Sequence, residues 1–331
     1  MNKVILLDKR PLGKPLLSDF KFDVEEVPVP GEGQLLLKTL YVSVDPYLRG
    51  RMNDNRSYIP PFQLTKPIQS GIIAEVVSSN RTDFKSGDFV SGILEWKEYQ
   101  LSEGKGITRV DDIAGNLSKY LGILGMTGLT AYCGLTEIGV PKAGETIVVS
   151  GAAGAVGSVV GQIGKILGCR VVGITGTDEK VQLLKTKFKF DQAVNYKTEE
   201  NLKDAIGNAC PLGVDVYFDN VGGDISYAVL ENLNKYARIP LCGTISLYNE
   251  VKPPSGLSIQ PLLLVKSSLM RGFIISDFSD KFPQAIRQLM NWLNEGKLTV
   301  AETIVDGFDN IPQTFLDLFE GKNEGKMIVK I

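Results

Sequence analysis

The 331-residue chain contains no histidine. That absence removes the usual general base near neutral pH and the commonest nitrogen ligand for a transition metal. Cysteine is sparse: four thiols stand at 133, 169, 210 and 242, with no Cys-x-x-Cys pair. This spacing signals neither a disulfide framework nor a thiolate cluster, so free thiols and no metal are expected. Neither charge is in excess, because 36 Lys and Arg face 38 Asp and Glu for a net charge of −2. Without a basic field, no nucleic-acid partner and no membrane partner are expected. The apolar run at 4–7 stops at Asp8, Lys9 and Arg10, too short for a signal-peptide core, and the expected compartment is the cytoplasm.

What remains is globular text, 43% apolar and 22% charged, long enough for two domains. Short β-rich runs at 20–27, 34–44, 71–78, 87–92 and 96–101, broken by turn residues, read as a mainly β first domain. Residues 53–67, with Pro60, Pro61 and Pro67, read as a long loop that lines a substrate mouth. Beyond about residue 124, strand-like runs at 146–150, 170–175, 192–196, 214–220 and 238–243 alternate with helical segments. That alternation predicts an α/β fold with a doubly wound parallel sheet. The tail, with strands at 300–305 and 326–331 around a helix at 312–318, returns to β text and is read as rejoining the first domain.

Residues 146–167 read TIVVSGAAGAVGSVVGQIGKIL, a strand running into glycines and then a helix. Ala152-x-Gly154-x-x-Gly157 matches the dinucleotide fingerprint with alanine for the first glycine. Gly154 lets a pyrophosphate approach the backbone, Gly157 lets helix and sheet pack closely, and the free N–H groups of the helix start hold the anion. Two other readings compete. The stretch 146–164 is uncharged and Gly157-x-x-x-Gly161 resembles a membrane-helix dimerisation face, although glycines following a β-branched run fit strand, turn and helix better. A tight turn with no ligand is the other.

An NAD-specific unit ends its second strand in Asp or Glu. Here the strand VVGIT ends in Gly176 and Thr177, and Lys180 follows at the next helix start. A cation and a hydroxyl where an acid would repel a ribose phosphate favour NADPH over NADH, although a solvated helix-start lysine is the plain alternative. Asp178 and Glu179 are read as helix N-terminal acids.

SVDPYLRGRM (43–52), MTGLTAY (126–132), AAGAVGSVVGQIGK (152–165), TDEKV (177–181), NYKT (195–198), FDNVGG (218–223), CGTISLYN (242–249) and NEGKMIVK (323–330) together resemble zinc-independent medium-chain reductases of the prostaglandin reductase and alkenal double-bond reductase family. The resemblance implies a GroES-like distorted barrel over 1–124 and 297–331, a dinucleotide-binding domain over 125–296, and a homodimer. It places Gly154, Ala155, Val156 and Gly157 on the pyrophosphate, and Gly176, Thr177, Lys180 and Tyr196 around the ribose phosphate. Asn220, Cys242, Gly243 and Asn323 touch the cofactor, and Met126, Thr127 and Phe273 flank the nicotinamide. Tyr248 and Tyr58 match substrate-facing tyrosines; Tyr47 is read as structural, and Met126 and Phe273 have ordinary core packing as their plain alternative. One departure lies in LLKTKFKFDQAVNYKT, where family members commonly carry a glycine near the helix end.

With no imidazole and no metal, the implied reaction passes hydride to the β-carbon of an enone or enal and leaves an enolate whose oxygen needs hydrogen-bond donors. The expected function is NADPH-dependent reduction of such double bonds, oxo-prostaglandins among the possible substrates. A quinone reductase and a non-catalytic NADPH-binding protein stand as alternatives. Pocket size rests on how 53–67 and 249–262 fold over the cleft.

Overall fold

The computed structural model describes residues 1–112, 116–252 and 255–331, so Pro253 and Pro254 of the mouth segment lie outside the described residues. In the first domain the β-rich runs fold as β1 (Asn2–Leu7), β2 (Phe20–Glu25), β3 (Leu35–Ser43), β4 (Gln69–Ser79), β5 (Phe89–Glu95), β6 (Tyr99–Ser102) and β7 (Ile107–Val110). Along β3, Leu35, Leu37 and Thr39 are buried while Leu36 and Lys38 are half-covered, the period of a strand with one face on a core. β3 to β5 and β7 form an antiparallel run, and β6 adds to β3. The short apolar run at 4–7 is β1, paired with β2, and its Ile5 and Leu7 are fully buried.

The second domain is a six-stranded parallel sheet of β8 (Thr146–Ser150), β9 (Arg170–Thr175), β10 (Gln192–Asn195), β11 (Val214–Phe218), β12 (Leu233–Leu241) and β13 (Leu269–Gly272). Its order, β10-β9-β8-β11-β12-β13, reverses between β8 and β11. Doubly wound sheets bind ligands outside the strand ends at that reversal. All five residues of β8 are buried, because helices cover both faces. The run expected at 214–220 ends at Phe218, and the one expected at 238–243 begins at Leu233 and passes through Tyr236 at φ 64°.

The tail closes the first domain. β15 (Lys326–Lys330) pairs antiparallel with β3, and β14 (Glu302–Asp306) lies parallel to β15. One apolar core joins Ile5, Leu35 and Trp96 to Phe315 and Val329; a second runs from Ile123 to Leu298. No helix among the described residues is long and apolar enough to cross a membrane, so the uncharged stretch at 146–164 is strand, turn and helix.

Candidate functional site

The glycine turn stands at the end of β8, in the crevice where the strand order reverses. The helix Gly157–Ile166 follows it, and close packing explains two of its glycines. A Cβ on Gly157 would stand 2.4 Å from the Gly151 carbonyl oxygen, and one on Gly161 would stand 1.8 Å from Cζ of Phe190. The backbone N–H groups of Ala155 and Val156 donate to no described residue and stand free at the helix start. This is the donor set an anionic pyrophosphate requires.

The far end of the crevice is positive. Thr177 caps the helix Asp178–Thr186 by accepting from the Lys180 N–H at 3.3 Å. The Lys180 ammonium donates to the Gly321 carbonyl at 2.7 Å. Burial lowers its pKa, Glu324 opposes that, and Lys197 adds to the lowering. A Cβ on Gly176 would come within 3.0 Å of Cε1 of Tyr196 and 3.2 Å of Cε of Lys197, so the glycine lets both side chains lie against the strand end. Asp178 is held by the Asn195 amide at 2.7 Å and remains a helix-start acid. A dinucleotide with a phosphorylated ribose fits this end: two cations and one hydroxyl face it, against the single nearby carboxylate of Glu324.

The C-terminal return covers the turn. Gly325 N–H donates to the Ala153 carbonyl at 2.8 Å and Gly154 bridges to Gly325, while Asn323 is folded onto the Gly325 carbonyl at 2.8 Å. In the departing stretch at 183–198, Lys189 takes φ 59°, the left-handed conformation glycine favours.

On the other side of the crevice the strand end after β11 is organised by Asp219, which is 1% exposed. Its carboxylate accepts from Ser150 Oγ, Tyr217 OH, and the N–H groups of Val221 and Gly222 at 2.8–3.0 Å. Its carbonyl accepts from the N–H groups of Cys242 and Gly243. Asn220 donates from its amide to the Ser150 carbonyl at 2.7 Å. Together these bonds fix the edge on which Asn220, Cys242 and Gly243 stand. Burial, then Asp219, pushes the half-buried Cys242 thiol up to about 12, so it is a neutral thiol near pH 7.

Tyr248 lies over that edge. A Cβ on Gly243 would stand 3.2 Å from its hydroxyl oxygen. Burial raises its pKa, and a backbone hydrogen bond from Thr244 opposes the rise. Burial therefore keeps the phenol protonated, with its proton available to donate. Tyr58, in the 53–67 loop, is 61% exposed and belongs to the rim. Tyr47 packs against the first-domain core, with its phenol pushed well up by burial and then by Asp45.

The three residues placed beside the nicotinamide differ in setting. Met126 opens the helix Met126–Cys133 and is 37% exposed. Thr127 is buried and donates to the Gly122 carbonyl at 3.0 Å. Phe273 is packed edge-on against Phe218 and Phe278. Sequence reasoning missed Asp219 and Lys197; FDNVGG and NYKT contain them, but which partner each meets depends on neighbouring strands. Among the described residues no group of three Cys, Asp or Glu is placed to hold a metal ion.

Residues 3–110 match the family described as N-terminal domain of oxidoreductase, and residues 155–292 match the one described as zinc-binding dehydrogenase. The NADPH-dependent curcumin reductase of Escherichia coli (strain K12) is 43% identical over 311 residues, 92% of this chain and 90% of that one. The prostaglandin reductase 1 of Sus scrofa is 41% identical over 310 residues, 91% of each chain. This chain belongs to the zinc-independent medium-chain dehydrogenase/reductase family. Within that family, the crystal structure of CurA in complex with NADPH from Vibrio vulnificus superposes with a TM-score of 0.95 at 40% identity, covering 99% of this chain and 98% of that one.

Proposed function

We propose that this medium-chain reductase uses NADPH to reduce the carbon–carbon double bond of α,β-unsaturated aldehydes and ketones. One observation carries the reading. The Tyr248 phenol, kept protonated by burial, stands over Gly243 at the crevice edge opposite the glycine turn.

The chain's own residues divide the work. Ala155 and Val156 hold the pyrophosphate through free N–H groups, and Lys180, Thr177 and Tyr196, with Lys197 added, hold the ribose phosphate. Asn220, Cys242, Gly243 and Asn323 border the rest of the cofactor, with Met126 and Thr127 on the nicotinamide side. Bound NADPH supplies the hydride. As negative charge grows on the carbonyl oxygen of the substrate, Tyr248 donates a hydrogen bond to it, and Tyr58 shapes the mouth from the rim. A neutral Cys242 thiol adds no competing charge.

The test is a substrate panel with NADPH oxidation as readout. A trans-2-alkenal, a cyclic enone and a quinone are assayed side by side. Higher kcat/KM for the alkenal and enone is expected; activity confined to the quinone would make this a quinone reductase, and none with any acceptor would leave NADPH binding alone.

The assembly we propose is a homodimer. β13 is an edge strand with Leu269 57% exposed, and Leu264 and Val265 on the preceding helix are 79% and 69% exposed. An open strand edge beside exposed aliphatic side chains is a pairing surface for a second copy. Light scattering is expected to give the mass of two chains. Replacing both Leu264 and Leu269 with lysine should give one; a monomeric native chain would refute the pairing.

A further inference from the structure

Arg49 sits in the SVDPYLRGRM run, on the short helix Leu48–Arg51. Its side chain enters the interior, leaving the residue 2% exposed. Nε donates to Oδ1 of Asn249 at 3.2 Å and Nη1 to Oδ1 of Asn53 at 2.6 Å. Nη2 donates to the carbonyls of Pro11 and Gly13 at 3.3 and 2.9 Å. All these acceptors are neutral, and no carboxylate among the described residues forms an ion pair with it. Buried Asp19 acts on the guanidinium through space without pairing with it, so the planar fork is held by geometry rather than by a bonded carboxylate.

That geometry joins three separate segments: the N-terminal strap at 11–13, the start of the 53–67 loop, and the residue that directly follows Tyr248. The strap touches the last of these a second time, since a Cβ on Gly13 would stand 3.6 Å from Cγ2 of Val251 and 3.7 Å from the Asn249 carbonyl oxygen. The turn that carries Tyr248 gives it weak backbone support. The 3-10 turn Ile245–Leu247 before it has no buried residue, and its own N–H reaches the Ile245 carbonyl only at 3.4 Å.

We propose that Arg49 is a positioning residue which holds Asn249 against the first domain and thereby fixes where the Tyr248 hydroxyl stands. The inference rests on Tyr248 being the donor to the substrate oxygen. It predicts that Arg49 and Asn249 act on rate only through that hydroxyl, and that they couple the mouth segments of both domains to it.

A double-mutant cycle tests this on the full-length protein with trans-2-hexenal and NADPH. Asn249→Leu should lower kcat about tenfold and change KM less than about twofold. In a Tyr248→Phe background the same change should cost nothing further, because the hydroxyl it positions is gone. Arg49→Lys keeps the charge and loses the fork, and should reproduce the Asn249→Leu loss while NADPH affinity, read by fluorescence titration, stays constant. An equal loss from Asn249→Leu in both backgrounds would make the contact merely structural and overturn the proposal, as would full kcat in Arg49→Lys. Full turnover in the Tyr248→Phe single variant would instead contradict the donor reading itself, and the inference with it.

Discussion

Tyr248→Phe is expected to lower turnover tens- to hundreds-fold while changing substrate affinity much less. The substitution keeps the ring that fills the crevice edge and deletes only the hydroxyl over Gly243. In the ground state that hydroxyl meets a carbonyl oxygen with modest partial charge; in the transition state it meets an oxygen becoming an enolate. A donor whose bond strengthens as charge develops contributes to kcat rather than to binding, and losing one costs on the order of 2–4 kcal/mol in the barrier. Burial holds the phenol above its ordinary pKa, so it remains a protonated donor through the neutral range. Tyr58→Phe should cost less, because a residue 61% exposed at the rim donates in competition with water. Steady-state kcat and KM for both variants check the ranking; a Tyr248→Phe enzyme with native turnover would assign the donor role elsewhere.

The second large effect is on the cofactor. Lys180→Ala should weaken NADPH by about 1.5–3 kcal/mol, tenfold to a hundredfold or more in Kd, and leave NADH almost unchanged. Burial and the nearby Lys197 both disfavour the charged Lys180, with Glu324 only opposing them. Its hydrogen bond goes to the neutral Gly321 carbonyl. A ribose phosphate supplies the negative charge that Glu324 alone does not provide for two lysines. Lys197→Ala is expected to cost less than Lys180→Ala but to act in the same direction. Titrating both nucleotides against each variant decides it: equal losses for NADPH and NADH would remove Lys180 from the phosphate.

Features written as local spacing were legible in the sequence. The glycine turn is one, because the sterics at Gly157 depend on a strand end and a helix that adjoin in the chain. The alternation of β8 to β12 with helices is another. The helix Phe282–Asn294 was equally readable, with Ala285, Leu289 and Trp292 at helical spacing on its buried side, yet sequence reading passed over it. Long-range partners were not legible. Asp219 draws its donors from β8 and from the loop after β11, and Arg49 meets Asn249 across 200 residues. A charge inside a motif shows that something is held there, but only the fold shows what.

The central claim is reduction at a carbon–carbon bond, and the fate of one labelled hydride tests it most directly. With NADPH deuterated at C4 and trans-2-hexenal, the product is expected to be hexanal carrying deuterium on the β-carbon and a solvent proton on the α-carbon. An allylic alcohol with deuterium on the former carbonyl carbon would contradict it and make the enzyme a carbonyl reductase.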